Sequence, residues 1–222
     1  MNQLEAIKQR HSVRKYLNKP IEENLINTLN KEIEDINKES GLNVQFVTNE
    51  PKSFSGIMAH YGKFSGVSNY FAMIGKKDKF LDEKVGYYGE RLVLKAQELG
   101  LNTCWVALTY KKIPEAYKLK KGEKLLLVIS VGYGETQGAP RKSKKPEEVS
   151  NVSADSPEWF KQGIEAALLA PTAMNQQKFY FSYENSKVKA KNGLGFYAKV
   201  DLGIAKYHFE IGAEKDNFEW QN

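Results

Sequence analysis

Residues 125–131 read Leu-Leu-Leu-Val-Ile-Ser-Val. An apolar run without alternation describes a strand covered on both faces, so it belongs at the centre of a sheet and not at its edge. A chain organised around such a strand needs further strands beside it and helices over it. Asn43–Thr48 alternates and is β-rich, and Asn69–Gly75 reads as a second partner; Thr103–Leu108 is a shorter apolar segment.

The helical cover is also legible. Residues 2–9 form a short helix with Leu4 and Ile7 on one face. From Pro20, Ile21, Leu25, Ile26, Leu29, Ile33 and Ile36 recur at helical spacing up to a stop at Gly41. Val85–Leu99 is a strong helix with Leu92, Val93, Ala96 and Leu99 on one face and Gly100 as its cap. Ile113–Leu119 reads as a short helix, and 51–66 as irregular. Gly134–Ser156, polar and basic with Pro140 and Pro146, reads as a long crossing loop. A second block follows: a helix over Pro157–Ala170, a strand over Phe179–Tyr183, a turn at Gly193 and Gly195, and a helix over Val200–Gly212. The expected class is α+β, a mixed sheet covered by helices.

Composition sets the outer bounds. With 222 residues, 41% hydrophobic and 12% aromatic, the chain can bury a substantial core. No apolar run approaches the roughly 20 residues needed to cross a bilayer, and Met1–Gln9 lacks the apolar stretch of a secretory signal. A soluble cytoplasmic protein with no membrane partner is expected. The single cysteine, Cys104, excludes an internal disulfide framework and reads as a buried structural thiol. His11, His60 and His208 have no zinc-ligand spacing, so no metal is expected. The net charge of +6 is partly local, in Arg141, Lys142, Lys144 and Lys145 and in Lys118–Lys121. These clusters suit a solvated face or a phosphorylated small molecule; no nucleic-acid motif accompanies them, and no nucleic-acid partner is expected.

The two blocks share an order, helix then strand then helix. Asn43-Val44-Gln45-Phe46-Val47 has its echo in Gln177-Lys178-Phe179-Tyr180-Phe181. The echo fits two unrelated stretches or a duplicated unit that packs as an internal pseudo-dimer. The duplicated reading divides the chain into an N-terminal half, 1–150, and a C-terminal half, 151–222.

The strongest local feature is Arg10-His11-Ser12-Val13-Arg14-Lys15-Tyr16. In an extended segment, alternate side chains point to one side, so Arg10, Ser12 and Arg14 would converge. Two guanidinium forks and a hydroxyl suit a phosphate. A solvated basic turn is the plainer alternative.

This segment resembles the N-terminal flavin-phosphate signature, Arg-x-Ser-x-Arg, of the nitroreductase family. Three further segments are similar to that family: Leu99-Gly100-Leu101-Asn102-Thr103-Cys104-Trp105-Val106, Lys142-Ser143-Lys144-Lys145-Pro146, and Pro171-Thr172-Ala173-Met174-Asn175-Gln176-Gln177, which looks like its Pro-Ser-Ser-x-Asn-x-Gln loop. The order differs. In the family that loop comes early, after the second helix; here the early position holds Glu39-Ser40-Gly41-Leu42-Asn43, without the proline. The later block in turn lacks Arg-x-Ser-x-Arg. The resemblance therefore implies the subset with an internally duplicated, pseudo-dimeric chain, the TM nitroreductase type, with two pseudo-symmetric halves holding complementary parts of one FMN site.

What the resemblance implies for the residues is specific. Arg10, Ser12, Arg14, Lys142 and Lys144 would neutralise the phosphate and orient the flavin, with Arg141 as a competitor. His11 would contribute through its backbone or edge. Pro171, Thr172, Ala173 and Asn175 would meet the ring or ribityl chain. The main chain at Ala107 and Leu108 would sit near the redox-active nitrogen, and Lys63 near the carbonyl edge. No protein residue is catalytic, because the chemistry lies on FMN. The implied activity is NADH- or NADPH-driven reduction of a small acceptor such as a nitroaromatic or quinone, by a monomer or homodimer. A flavin-binding carrier or sensor without turnover is the alternative. Trp105 reads as core, and Tyr61, Tyr87 and Tyr88 either line a pocket or pack.

Overall fold

A computed structural model describes residues 1–221. They divide into two compact units, neither of them contiguous: 10–81 with 92–139, and 1–9 with 82–91 and 140–222. Each is taken in turn.

The unit of 10–81 and 92–139 is built on a four-stranded sheet. Strands β1 (Gln45–Val47), β2 (Tyr70–Lys76), β3 (Asn102–Val106) and β4 (Glu123–Gly132) lie in the order β1-β2-β4-β3, every neighbour antiparallel. The apolar run at 125–131 is therefore interior, as its composition requires: Val128 pairs with Ala72 on one side and Val106 on the other. The register shifts between Met73 and Ile74, a bulge that bends β2. Helix α2 (Glu23–Ser40) buries Leu29, Ile33 and Ile36 and ends at Gly41, whose φ of 71° places it in the left-handed region glycine favours. A core of Val13, Tyr16, Phe54, Phe64, Tyr70 and their neighbours packs against the sheet. The irregular stretch contains a short helix, α3 (Ile57–Tyr61). The helix expected over Ile113–Leu119 contracts to one 3-10 turn at Pro114–Ala116, because Pro114 and the lysine-rich 118–121 stretch give it no apolar face to bury.

Helix α4 (Leu81–Glu98) begins four residues earlier than the apolar pattern indicates, and its opening half, 82–91, belongs to the other unit. That unit also contains α1 (Gln3–Gln9), α5 (Pro146–Val149), α6 (Glu158–Leu168) and α7 (Ala198–Ala213). Its sheet is mixed: β5 (Phe179–Glu184) and β6 (Lys187–Asn192) are antiparallel, and β7 (Glu219–Trp220) joins β6 in parallel. An aromatic cluster fills its core, with Phe160 against Phe209 and Phe181 stacked on Phe209 at 4.9 Å between centroids.

Helix α7 approaches its neighbours at glycines. A Cβ on Gly203 would lie 2.1 Å from the Glu83 carbonyl oxygen, and one on Gly86 would lie 2.0 Å from that of Val200. At the other end of α7, a Cβ on Gly212 would meet Gln162 O at 2.6 Å. Beside this crossing, His208 and Glu90 are both fully buried; His208 Nε2 lies 2.8 Å from Glu90 Oε1, and Nδ1 lies 3.0 Å from the Ala166 carbonyl oxygen. A carbonyl oxygen can only accept, so Nδ1 carries the proton of that bond.

Candidate functional site

The segment after α1 is extended, as alternation implies. Ser12 bridges Thr103 and Lys15 bridges Ser65, each in parallel, while Tyr16 bridges Gly134. Val13 N donates to Thr103 O at 3.0 Å, and Ser65 N to Arg14 O at 3.0 Å. The Tyr16 hydroxyl hydrogen-bonds Ser130 Oγ at 2.9 Å and donates to Val13 O at 2.8 Å, which pins the segment to β4. A Cβ on Gly66 would lie 2.1 Å from the Tyr16 carbonyl oxygen, so only glycine lets that loop close over it.

Arg10 and Arg14 both act electrostatically on the buried Cys104 thiol. That thiol donates to Trp105 O at 3.6 Å. Cationic neighbours that are invisible along the chain are thus supplied in space. Burial still wins and pushes the thiol above its ordinary range, with Arg14, the Ser12 hydrogen bond and Arg10 opposing. Cys104 is the buried thiol expected from its apolar surroundings. Arg10 is 2% exposed, whereas Arg14 is exposed.

Arg14 reaches an open cavity of about 430 Å³ lined by Arg14, Tyr61, Lys63, Phe64, Trp105 and Ala107, with Gly62, Val106 and Thr109. Its guanidinium lies 5.9 Å from the Phe64 ring centroid. Three of the residues singled out from the sequence, Arg14, Lys63 and Ala107, therefore share one cavity. Leu108 follows Ala107 and is 69% exposed. Lys63 has a φ of 61°, a left-handed conformation uncommon for a residue with a side chain. Trp105 is half-buried and faces this cavity instead of disappearing into the core. Tyr61 is 81% exposed and lines the cavity. Tyr87 packs in the other unit: its ring lies 5.1 Å from both Tyr88 and Tyr207, and its hydroxyl donates to Glu210 at 2.5 Å.

The remaining candidates belong to the unit containing 140–222 and are tied to one another. Asn175 Nδ2 donates to Lys142 O at 2.8 Å. Lys144 N donates to Gln177 Oε1 at 2.7 Å, and its ammonium to Gln177 O at 3.0 Å. Thr172 Oγ1 accepts from Gln177 N at 3.1 Å, which leaves its own hydroxyl proton to donate. Arg141 donates to Leu169 O. The 141–145 stretch and the Pro171–Gln177 loop thus form one hydrogen-bonded surface, in which the Lys144 charge serves the loop backbone.

The sequence profile of the family described as "Putative TM nitroreductase" matches residues 2–213. The chain belongs to this nitroreductase family. Membership supports oxidoreductase activity. Solved structures share the fold. A putative nitroreductase from Thermotoga maritima is 24% identical, with 99% of this chain and 87% of that one covered and a TM-score of 0.71. The NfrA1 nitroreductase of B. subtilis is 13% identical over 70% of this chain and 74% of its own, with a TM-score of 0.54. A nitroreductase family protein from Streptococcus pneumoniae TIGR4 is 14% identical over 67% and 98%, with a TM-score of 0.53. No curated protein matches the sequence significantly.

Among the described residues, no helix is long and apolar enough to cross a membrane, and no cluster of His, Cys, Asp or Glu could hold a metal ion. Several residues around the candidate positions escape a reading of the sequence alone. Phe64 and Thr109 line the cavity. Asp201 and Gln176 brace the Pro171 loop, with Ala173 N donating to Asp201 Oδ1 at 2.9 Å and Gln176 Nε2 to Oδ2 at 2.7 Å. The one signal for Asp201 was a carboxylate flanked by Val200 and Leu202, in a helix whose other acid is Glu210.

Proposed function

We propose that this chain binds one FMN and works as an NADH- or NADPH-driven reductase of a small acceptor, such as a nitroaromatic or a quinone. The observation that carries the reading is the cavity of about 430 Å³, which sets two cations, Arg14 and Lys63, among three aromatic side chains and no acid, in a chain of the nitroreductase family. Its volume falls in the range of about 300–1,000 Å³ usual for small-molecule sites.

The residues suit the group chemically. Arg14 presents a planar, permanently charged fork to phosphate oxygens, and Ser12 and Arg10 are proposed to assist it on the resemblance of their segment. Tyr61, Phe64 and Trp105 offer flat apolar walls to a ring. Lys63 places a cation at the cavity wall where an anionic edge would be stabilised, and the Ala107–Leu108 main chain is proposed to meet the ring on the resemblance of its segment. Lys142, Lys144, Pro171, Thr172, Ala173 and Asn175 are proposed as further FMN contacts on the resemblance of their segments. FMN supplies the hydride and electron transfer when bound. The protein's task is to hold, orient and charge-match it, which requires no acid–base pair.

The test is direct. Purified protein should be yellow, or should take up added FMN, and should then oxidise NADH or NADPH when a quinone or nitroarene is supplied. Arg14→Ala removes a charge-assisted contact worth about 1.5–3 kcal/mol, so FMN affinity should fall by roughly 10- to 150-fold. Colourless protein that refuses FMN would end the proposal, and an unchanged affinity in Arg14→Ala would end the phosphate assignment.

A further inference from the structure

The Pro171–Gln177 loop holds a conformation its own residues do not favour. Met174, Asn175 and Gln177 have φ of 51°, 52° and 46°. Left-handed backbone at residues that carry side chains persists only where the surroundings over-determine it. Here the surroundings converge on one buried side chain. Asp201, in the first turn of α7, is 2% exposed. Its two carboxylate oxygens divide the work: Oδ1 accepts from the Ala173 amide and Oδ2 from Gln176 Nε2. Gln176 Nε2 also donates to Phe196 O at 2.7 Å, so the strut continues to the residues before α7.

Both donors to Asp201 are neutral amides. A buried carboxylate held this way is costly to keep ionised. Burial pushes its pKa from 3.8 up to about 6, against the opposing hydrogen bonds from Ala173 and Gln176. An asparagine of the same shape would avoid that cost. The strained loop and both hydrogen bonds that brace it thus meet at this one side chain.

We propose that Asp201 is a positioning residue, which through Ala173 and Gln176 holds Thr172 and Asn175 in the conformation in which they meet FMN. The proposal rests on the reading of this loop as an FMN contact. It assigns Asp201 no part in the redox step.

Two measurements on full-length protein separate the proposal from that reading. Hydrogen exchange at the amides of 173–177, without FMN, reports the loop itself; titration with FMN followed by flavin fluorescence reports the site. Asp201→Ala and Gln176→Ala should each speed loop exchange at least tenfold and weaken FMN about tenfold. The double variant should be no worse than Asp201→Ala, because both remove one strut. Asp201→Asn keeps an acceptor for Ala173 but turns a donor toward Gln176 Nε2, so it should fall between wild type and Asp201→Ala in both loop exchange and FMN affinity. Unchanged loop exchange in Asp201→Ala overturns the proposal. Faster exchange with unchanged FMN affinity also overturns it, and removes the loop from the FMN site while leaving the cavity reading intact. Wild-type protein that binds no FMN sinks both. Should Asp201→Ala not fold, Gln176→Ala and Asp201→Asn decide the matter by the same readouts.

Discussion

Substituting alanine for Gly203 places a methyl group where backbone already stands. The new Cβ would lie 2.1 Å from Glu83 O and 2.7 Å from Tyr87 N, whereas real Cβ contacts essentially never fall under 3.0 Å. Neither atom can turn aside as a flexible side chain would, so α7 and the opening half of α4 must move apart by about 1 Å. A gap of that size forfeits about a quarter to a half of each dispersion contact along the seam. Overpacking of this kind costs typically about 1–3 kcal/mol, and an immovable backbone points to the upper end. Alanine's better helix propensity returns about 1 kcal/mol. The net loss is about 2 kcal/mol, which for a chain of this size lowers Tm by about 4–8 °C. Gly86→Ala should cost much the same, since its Cβ would meet Val200 O at 2.0 Å. One displacement relieves both clashes, so the double variant should fall short of the sum by about 1 kcal/mol or more. Urea unfolding of the four proteins measures all three quantities. A midpoint for Gly203→Ala equal to or above wild type would refute the close crossing; strict additivity would refute the shared displacement.

Two further outcomes follow from buried acids. Asp201 binds its proton more tightly folded than unfolded, so its contribution to stability is lost as pH rises from about 4 to about 6. Asp201→Asn should flatten that slope and leave the protein more stable at pH 7 by up to about 3 kcal/mol; parallel stability curves for the two proteins would refute the assignment. Glu90→Ala strips the fully buried His208 of its carboxylate and should destabilise by about 3–5 kcal/mol. Glu90→Gln, whose amide can donate to Nε2, should cost much less, and equal losses on chemical denaturation would show that volume and not pairing matters.

Much of the fold is legible because burial writes itself into periodicity. The run at 125–131 became the interior strand β4, and the 3.6-residue pattern of α2 was closed by a glycine in the left-handed region. What escaped is equally physical. β6 carries Lys187, Lys189 and Lys191, with Val188 alone fully buried, so it has no apolar alternation to betray it. Its hairpin turns on Asn185 and Ser186 at φ of 48° and 60°, without the glycine that usually marks such a turn. β7 is two residues long and shows itself only by pairing with β6. For the site, the alternation at Arg10, Ser12 and Arg14 marks a segment whose backbone is extended and bridged to Thr103 and Ser65. The cavity wall at Phe64 and Thr109 and the strut at Asp201 depend on contacts between residues distant in sequence, and no local pattern encodes those.

The non-contiguous division of the chain bears on how it is made. A ribosome releases residues 10–81 and 92–139 before 140–222, and these carry the whole four-stranded sheet. Residues 1–9 emerge before them, yet α1 packs with α6 and α7, which are synthesised after both stretches. Through most of translation, then, the opening helix and the 82–91 stretch have no finished unit to join. Severing the chain near residue 139 would strand both with the wrong fragment, so neither fragment on its own should be a good substitute for the intact polypeptide.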